Sequence, residues 1–230
     1  RSQNKRDHVK APGEYAKIML PELTFPYLIP GQEVLLDDGK IHLKIVEKAE
    51  NVTENGGENT QEKRYFAKVL WGGLLKSRKS AALPGAKIYP PTLTNSDLAN
   101  IKIAKEMGVT GVMQPFVRDH SDLECVKEAL REAGAEDIRL FAKIENMDGV
   151  RKLEKLLPAA DEIVIARGDL GNAVHLWDLP GVQRQISEKC RAAGKPFMVV
   201  TQMLDSMCSR AVPTRAEVSD IYNAVADGAS

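Results

Sequence analysis

Cysteine is scarce in this chain of 230 residues. Cys125, Cys190 and Cys208 stand far apart, with no C-x-x-C spacing and no His pair nearby, so a zinc module is excluded and buried, reduced thiols are expected. A surplus of charge of either sign is missing too. Lys plus Arg and Asp plus Glu number 32 each and are scattered, whereas a nucleic-acid or membrane-surface partner calls for a basic face. There is no apolar run of about 18 residues, the length that spanning a bilayer needs, and the segment from Arg1 to Lys10 is polar and charged. A signal peptide or membrane anchor within the chain is therefore not expected, and a cytoplasmic location is. The four histidines, His8, His42, His120 and His175, form no H-x-x-x-H pair and accompany no serine or cysteine elbow, so hydrolase chemistry has no support.

What is present is an ordinary globular composition, 43% hydrophobic and 28% charged. Residues 1–87 read as β-rich, with strands over 34–38, 41–46, 65–70 and 87–89. Asp37-Asp38-Gly39-Lys40 reads as a hairpin turn, because Asp-Gly supplies the positive φ that tight hairpins require. The polar, glycine-bearing stretch 55–63 reads as a mobile loop. Pro90-Pro91 cannot continue a ladder and marks a boundary. Beyond it the periodicity predicts helix 96–107, strand 111–117, and a helix opened by the capping pattern Ser121-x-x-Glu124. Strand 138–144, helix 149–156, strand 162–166, helix 180–192, strand 197–201 and helix 214–226 follow. Those four βα units are half of the eight that close a (β/α)8 barrel of about 250 residues.

Three strand ends in this run turn polar together. Lys143-Ile144-Glu145-Asn146 closes one, Ala166-Arg167-Gly168-Asp169 the next, and Thr201-Gln202-Met203 a third. Alternation along a strand puts Lys143 and Glu145 on one face, and the same reasoning puts Arg167 and Asp169 on the matching face of the neighbouring strand. Strands about 4.8 Å apart let Glu145 and Asp169 share one Mg²⁺, with Lys143 beside it. The same residues would also make an ion-pair lattice at the rim of any α/β domain. Three polar ends on the carboxyl side of a parallel sheet favour a site.

With these motifs in view the chain resembles the pyruvate kinase family. The resemblance rests on residues 143–148 (KIENMD) and 166–171 (ARGDLG), on Gly194-Lys195-Pro196 leading to Thr201-Gln202-Met203-Leu204-Asp205-Ser206-Met207, and on Pro213-Thr214-Arg215-Ala216-Glu217 followed by Ser219-Asp220. It extends back through Lys79 and Leu83-Pro84-Gly85 to Asp37-Asp38-Gly39. The resemblance implies a partial TIM (β/α)8-type barrel, residues 88–230, with part of an inserted all-β lid domain, residues 1–87. It implies transfer of the phosphoryl group of phosphoenolpyruvate to ADP, giving pyruvate and ATP in glycolysis. Glu145 and Asp169 would hold Mg²⁺ or Mn²⁺. Lys143 would meet the transferring phosphoryl group, Gly168 and Asp169 the substrate, and Thr201 the substrate and the proton that quenches the enolate. Lys79 would reach the nucleotide phosphates. K⁺, a homotetramer and further barrel strands before Arg1 and after Ser230 are implied for the complete enzyme, and the chain alone is expected to be inactive.

Departures from the family pattern are Ser80-Ala81-Ala82 for G-V-N, Pro115 for serine before Phe116-Val117-Arg118, and Asn172-Ala173-Val174-His175 for acidic and proline residues. Two other readings are a Mg²⁺-dependent lyase or aldolase acting on pyruvate enolate, which needs no nucleotide lid, and a non-catalytic member of the same family.

Overall fold

A computed structural model describes residues 16–49 and 63–230. Two four-stranded sheets organise them. The first is antiparallel, built from β1 (Glu33–Leu36), β2 (Ile41–Lys48), β3 (Tyr65–Trp71) and β4 (Ala81–Ala82) in the order β3-β2-β1-β4. Val34, Leu36, Ile41, Leu43 and Ile45 alternate inward and form a small core with Leu28 and Leu83. The β1–β2 connection is the expected hairpin: Lys40 N–H donates to Asp37 O, and Asp38 and Gly39 both have positive φ.

The second sheet is wholly parallel, in the order β5 (Gly111–Gln114), β6 (Arg139–Ile144), β7 (Glu162–Ala166), β8 (Phe197–Val200). Helices α1 (Asn95–Ala104), α2 (His120–Glu132), α3 (Met147–Arg151), α4 (Leu153–Leu156), α5 (Arg167–Ala173), α6 (Leu179–Ala192) and α7 (Arg215–Ala226) alternate with these strands. Each strand-to-strand crossover carries at least one helix, as parallel pairing requires. β7 is buried along its whole length, and Ile163 and Ile165 lie in a core shared with Leu123, Leu140, Leu153, Leu156, Ile186 and Phe197. Such continuous burial is what a parallel strand covered on both faces needs. β5 and β8 each have one side unpaired among the described residues, and Met113 on β5 and Val218, Tyr222 and Val225 on α7 are exposed.

Several expectations need correction. Residues 87–89 are not a strand; Lys87 O instead accepts the Tyr27 hydroxyl, and Pro90 and Pro91 deny the segment a ladder. The second pairing partner of β1, beside β2, is Ala81–Ala82. Strand 111–117 stops at Gln114, because Pro115 has no N–H to donate. The cap of α2 is Asp119, boxed with Asp122, and not Ser121 with Glu124. Asp122 is worth more there because it is also the buried partner of Arg118 at 2.6 Å; burial pushes its carboxyl up, but hydrogen bonds from Arg118 and Thr92 bring it down to about 2. Helix 149–156 is two helices broken at Lys152. Of the three cysteines only Cys190 is buried, its thiol pushed up to about 11 by burial, while Cys125 and Cys208 are exposed. The loop expected over 55–63 lies, but for Lys63, outside the described residues.

One close approach fixes the base of the site. A Cβ on Gly149 would stand 2.6 Å from Val117 O, so only glycine lets α3 sit this tightly against the turn after β5. Asn146 caps α3 by accepting Gly149 N–H at 2.9 Å and donates through Nδ2 to the same Val117 carbonyl.

Candidate active site

Parallel pairing brings the carboxyl ends of β6, β7 and β8 to one edge. Lys143 pairs with Val164 and Ala166 with Val200, so Glu145, Arg167 and Thr201 are the residues with which each chain segment leaves the sheet or its immediate extension. Lys143 and Glu145 share a face as alternation requires, with Nζ 2.8 Å from Oε1. The Glu145 side chain is 1% exposed. Its other oxygen, Oε2, accepts Phe116 N–H at 2.7 Å. That donor is aimed by an uncommon backbone: Phe116 has φ +51, directly after Pro115. Sequence reasoning missed Phe116 because a main-chain donor carries no residue-type signal.

Asp169 reaches the same place by a different route from the one expected. It does not continue a strand; β7 ends at Ala166, and Arg167-Gly168-Asp169 form the first turn of α5. Ala166 offers no side-chain cap, so the start of that helix has no sequence signature. The Asp169 carboxyl is pushed up by burial first and by the negative charges of Glu145 and Asp38 next, with Lys143 opposing. Among the described residues no hydrogen bond or salt bridge reaches it. Two carboxylates close enough for the charge of Glu145 to raise Asp169, the latter half-buried and unpaired among the described residues, are the oxygen donors that a hard divalent cation takes. No group of three or more His, Cys, Asp or Glu suited to a metal exists among the described residues. A pair of acids fits Mg²⁺, which is ordinarily held by one or two carboxylates with water and substrate oxygens completing the octahedron.

Thr201 is not the strand-end β-former expected of a threonine. It has φ +76 and Gln202 has φ +55, both in the left-handed region that costs about 1–3 kcal/mol for a residue other than glycine. Thr201 Oγ1 accepts Gly168 N–H at 2.9 Å, so these two candidate residues are in contact. A Cβ on Gly168 would meet Thr201 Oγ1 at 3.7 Å, an ordinary contact, so neither sterics nor φ makes that glycine obligatory in the folded chain. Arg167 points away from the carboxylates, toward Asp220 and the 201–203 turn.

Lys79 belongs to the antiparallel sheet's surroundings and is held by Asp37 at 2.9 Å. Its hydrogen bond with Asp37 raises the lysine and lowers the acid. Ser80 adds a second tie, donating to Asp38 Oδ1 at 2.7 Å and accepting Asp38 N–H at 2.9 Å. The hairpin tip faces α5: the Cβ position of Gly39 lies 3.6 Å from Asn172 Oδ1, and Asp38 contributes to the field at Asp169. Lys79 is thus one ion pair removed from the carboxylate cluster and does not join it.

An α/β protein with a parallel sheet, carrying two acids and a lysine at adjacent strand ends, is defined by these features. Comparison with known sequences is more specific. The chain matches the family model described as pyruvate kinase, barrel domain, over residues 7–230. It is 39% identical to the pyruvate kinase of Geobacillus stearothermophilus over 90% of this chain and 34% of that protein. It is 38% identical to that of Bacillus licheniformis over 86% and 32%, and 37% identical to that of Chlamydia pneumoniae over 92% and 41%. The chain belongs to the pyruvate kinase family, and spans between 32% and 41% of the length of these relatives.

The raised Asp169 carboxyl makes a prediction about stability. An acid whose folded-state pKa exceeds its unfolded value costs the fold stability as pH rises through the raised value. Asp169→Asn, which loses no hydrogen bond, is expected to raise the melting temperature at pH 7 in the presence of EDTA. A melting temperature equal to or below wild type contradicts the electrostatic description of the site.

Proposed function

We propose that this chain supplies the metal-binding and phosphoryl-stabilising half of a pyruvate kinase active site, which transfers the phosphoryl group of phosphoenolpyruvate to ADP in glycolysis. The observation that carries the reading is the Lys143–Glu145 pair standing beside the unpaired, raised Asp169. In this reading residues 88–230 are part of a (β/α)8 barrel and residues 1–87 part of an inserted β lid. The unpaired sides of β5 and β8 and the exposed apolar side chains on α7 support it, since a closed barrel would cover them.

Glu145 and Asp169 hold Mg²⁺ or Mn²⁺. The bound cation supplies Lewis-acid neutralisation of charge on the substrate's oxygens. Phosphoryl transfer asks little covalent work of a protein, so positioning and fixed charge dominate. Glu145, held by Phe116 N–H, keeps Lys143 Nζ at the mouth of the site, where the ammonium meets the charge that builds on the transferring group and on the enolate. Gly168 and Thr201 orient the substrate, and the Thr201 hydroxyl, whose oxygen accepts Gly168 N–H, assists delivery of a proton to the enolate carbon, giving pyruvate. Lys79, released from Asp37, reaches the nucleotide phosphates when the lid closes and excludes water. K⁺, bound by barrel parts outside this chain, assembly as a homotetramer and a cytoplasmic location belong to the same reading. Among the described residues no helix is long and apolar enough to cross a membrane.

Lys143→Met is expected to leave Mn²⁺ binding within a few-fold of wild type and to cut pyruvate formation by on the order of 100-fold or more, the range for loss of one group aimed at developing charge. The measurement is a coupled pyruvate assay on the enzyme containing this chain together with the rest of its barrel; near-normal turnover sinks the assignment. The 230-residue chain by itself is expected not to turn over phosphoenolpyruvate, because open sheet sides and missing substrate contacts misplace the reacting groups, and about 1 Å of misplacement costs on the order of 100-fold. Side-by-side assay decides this, and comparable rates contradict it.

A further inference from the structure

We propose that Arg167 is a positioning residue that clamps the 201–203 turn in its left-handed conformation and thereby sets the Thr201 hydroxyl against Gly168 N–H. Thr201 and Gln202 are consecutive non-glycine residues with φ +76 and +55, and a β-branched residue there is a genuine outlier. Such a conformation persists only where its surroundings over-determine it. Burial does not do so here, because Thr201 and Gln202 are exposed. The paired register of β7 and β8 ends one residue earlier, at Ala166 and Val200.

The contacts that reach the turn come from α5. Arg167 Nη2 donates to Thr201 O at 3.0 Å and lies 2.7 Å from Met203 Sδ, and Gly168 N–H donates to Thr201 Oγ1 at 2.9 Å. The guanidinium is itself fixed from the far side, where Nη1 meets Asp220 Oδ1 on α7 at 2.8 Å, and the Arg167 side chain is 11% exposed. A planar fork with one arm on a carboxylate and the other on a carbonyl holds two elements at a defined separation. A lysine ammonium, a compact point charge on a flexible stem, does not reproduce that span. The arrangement is more than an ion pair docking α7, because the arm on Thr201 O holds the Thr201–Gln202 peptide, on whose orientation the positive φ of Gln202 depends.

The catalytic meaning of the clamp rests on the proposed pyruvate kinase reading, in which Thr201 and Gly168 meet substrate, whereas the clamp itself is a matter of structure. It is tested by hydrogen exchange at the Gly168 amide, measured on the complete enzyme without substrate, and by steady-state kinetics on the same enzyme. Arg167→Lys is expected to speed Gly168 exchange by on the order of 10-fold, as loss of a charge-assisted hydrogen bond does. Gln202→Gly added to Arg167→Lys is expected to restore much of the protection, because glycine adopts positive φ at no steric cost. An ion pair that only docked α7 would gain nothing from that second change. In the complete enzyme Arg167→Lys should lower kcat on the order of 10-fold with a smaller change in KM for phosphoenolpyruvate, and the double variant should recover kcat. If Arg167→Lys does not fold, Asp220→Asn, which frees the guanidinium without removing it, should raise Gly168 exchange in the same direction by a smaller factor. Unchanged exchange in whichever of these variants folds, or failure of Gln202→Gly to restore protection, overturns the clamp. Absence of pyruvate formation by the wild-type complete enzyme, with exchange behaving as described, overturns the functional reading and leaves the clamp standing.

Discussion

Two carboxylates brought close together repel, and the carboxyl edge of the parallel sheet is arranged around that repulsion. Glu145 is stabilised from two sides, by Lys143 Nζ and by Phe116 N–H. Asp169 receives neither a hydrogen bond nor a salt bridge among the described residues and is pushed up instead. The asymmetry has a physical origin. Glu145 leaves β6 beside the turn after β5, where a backbone donor is available; Asp169 lies in the first turn of α5, where it faces its neighbour's charge and that of Asp38. A fold selected for stability alone has no reason to keep such an acid unpaired, whereas a fold that binds a divalent cation gains its partner when the cation arrives.

The geometry behind this pair depends on features some distance from it. Gly149 lets α3 approach Val117, Asn146 ties the same carbonyl, and the left-handed Phe116 then aims its N–H at Glu145. On the other side the Thr201-Gln202 turn is strained and lies against Gly168. Strain therefore gathers on both flanks of the carboxylates, as it does where surrounding contacts fix a site before its ligand binds. The antiparallel sheet adds a third flank through the Asp37–Lys79 and Asp38–Ser80 ties at the hairpin tip. Ser80, which stands where the family pattern has glycine, is what makes the second of these ties possible.

Much of this was legible in the sequence where it depended on local rules. Period two placed Lys143 and Glu145 on one face, Asp-Gly marked the hairpin, and the alternation after Pro91 pointed to strands and helices in turn, as a parallel sheet needs. What escaped depended on tertiary context or on backbone. The α5 helix starts without a capping side chain and contains Gly168 and Gly171, so it read as the end of a strand. Two overlapping boxes competed at the start of α2, and Asp119 prevailed over Ser121 because Asp122 is held in place by Arg118 and Thr92. The break at Lys152 involves no proline or glycine and carries no local signal. Arg167 and Asp220 lie 53 residues apart, and although both fall in quoted motifs, nothing in either motif says that they meet.

The central claim is that one cation is gripped jointly by Glu145 and Asp169. The most direct test is Mn²⁺ titration, followed by the paramagnetic resonance of the free ion, on wild type, Glu145→Gln, Asp169→Asn and the double variant. Joint ligation predicts that each single change weakens binding by more than the roughly 10–100-fold that loss of an outer-shell partner costs. It also predicts that the double variant falls short of the sum of the two losses, since groups sharing one ion are not independent. Wild-type affinity in both single variants would contradict it.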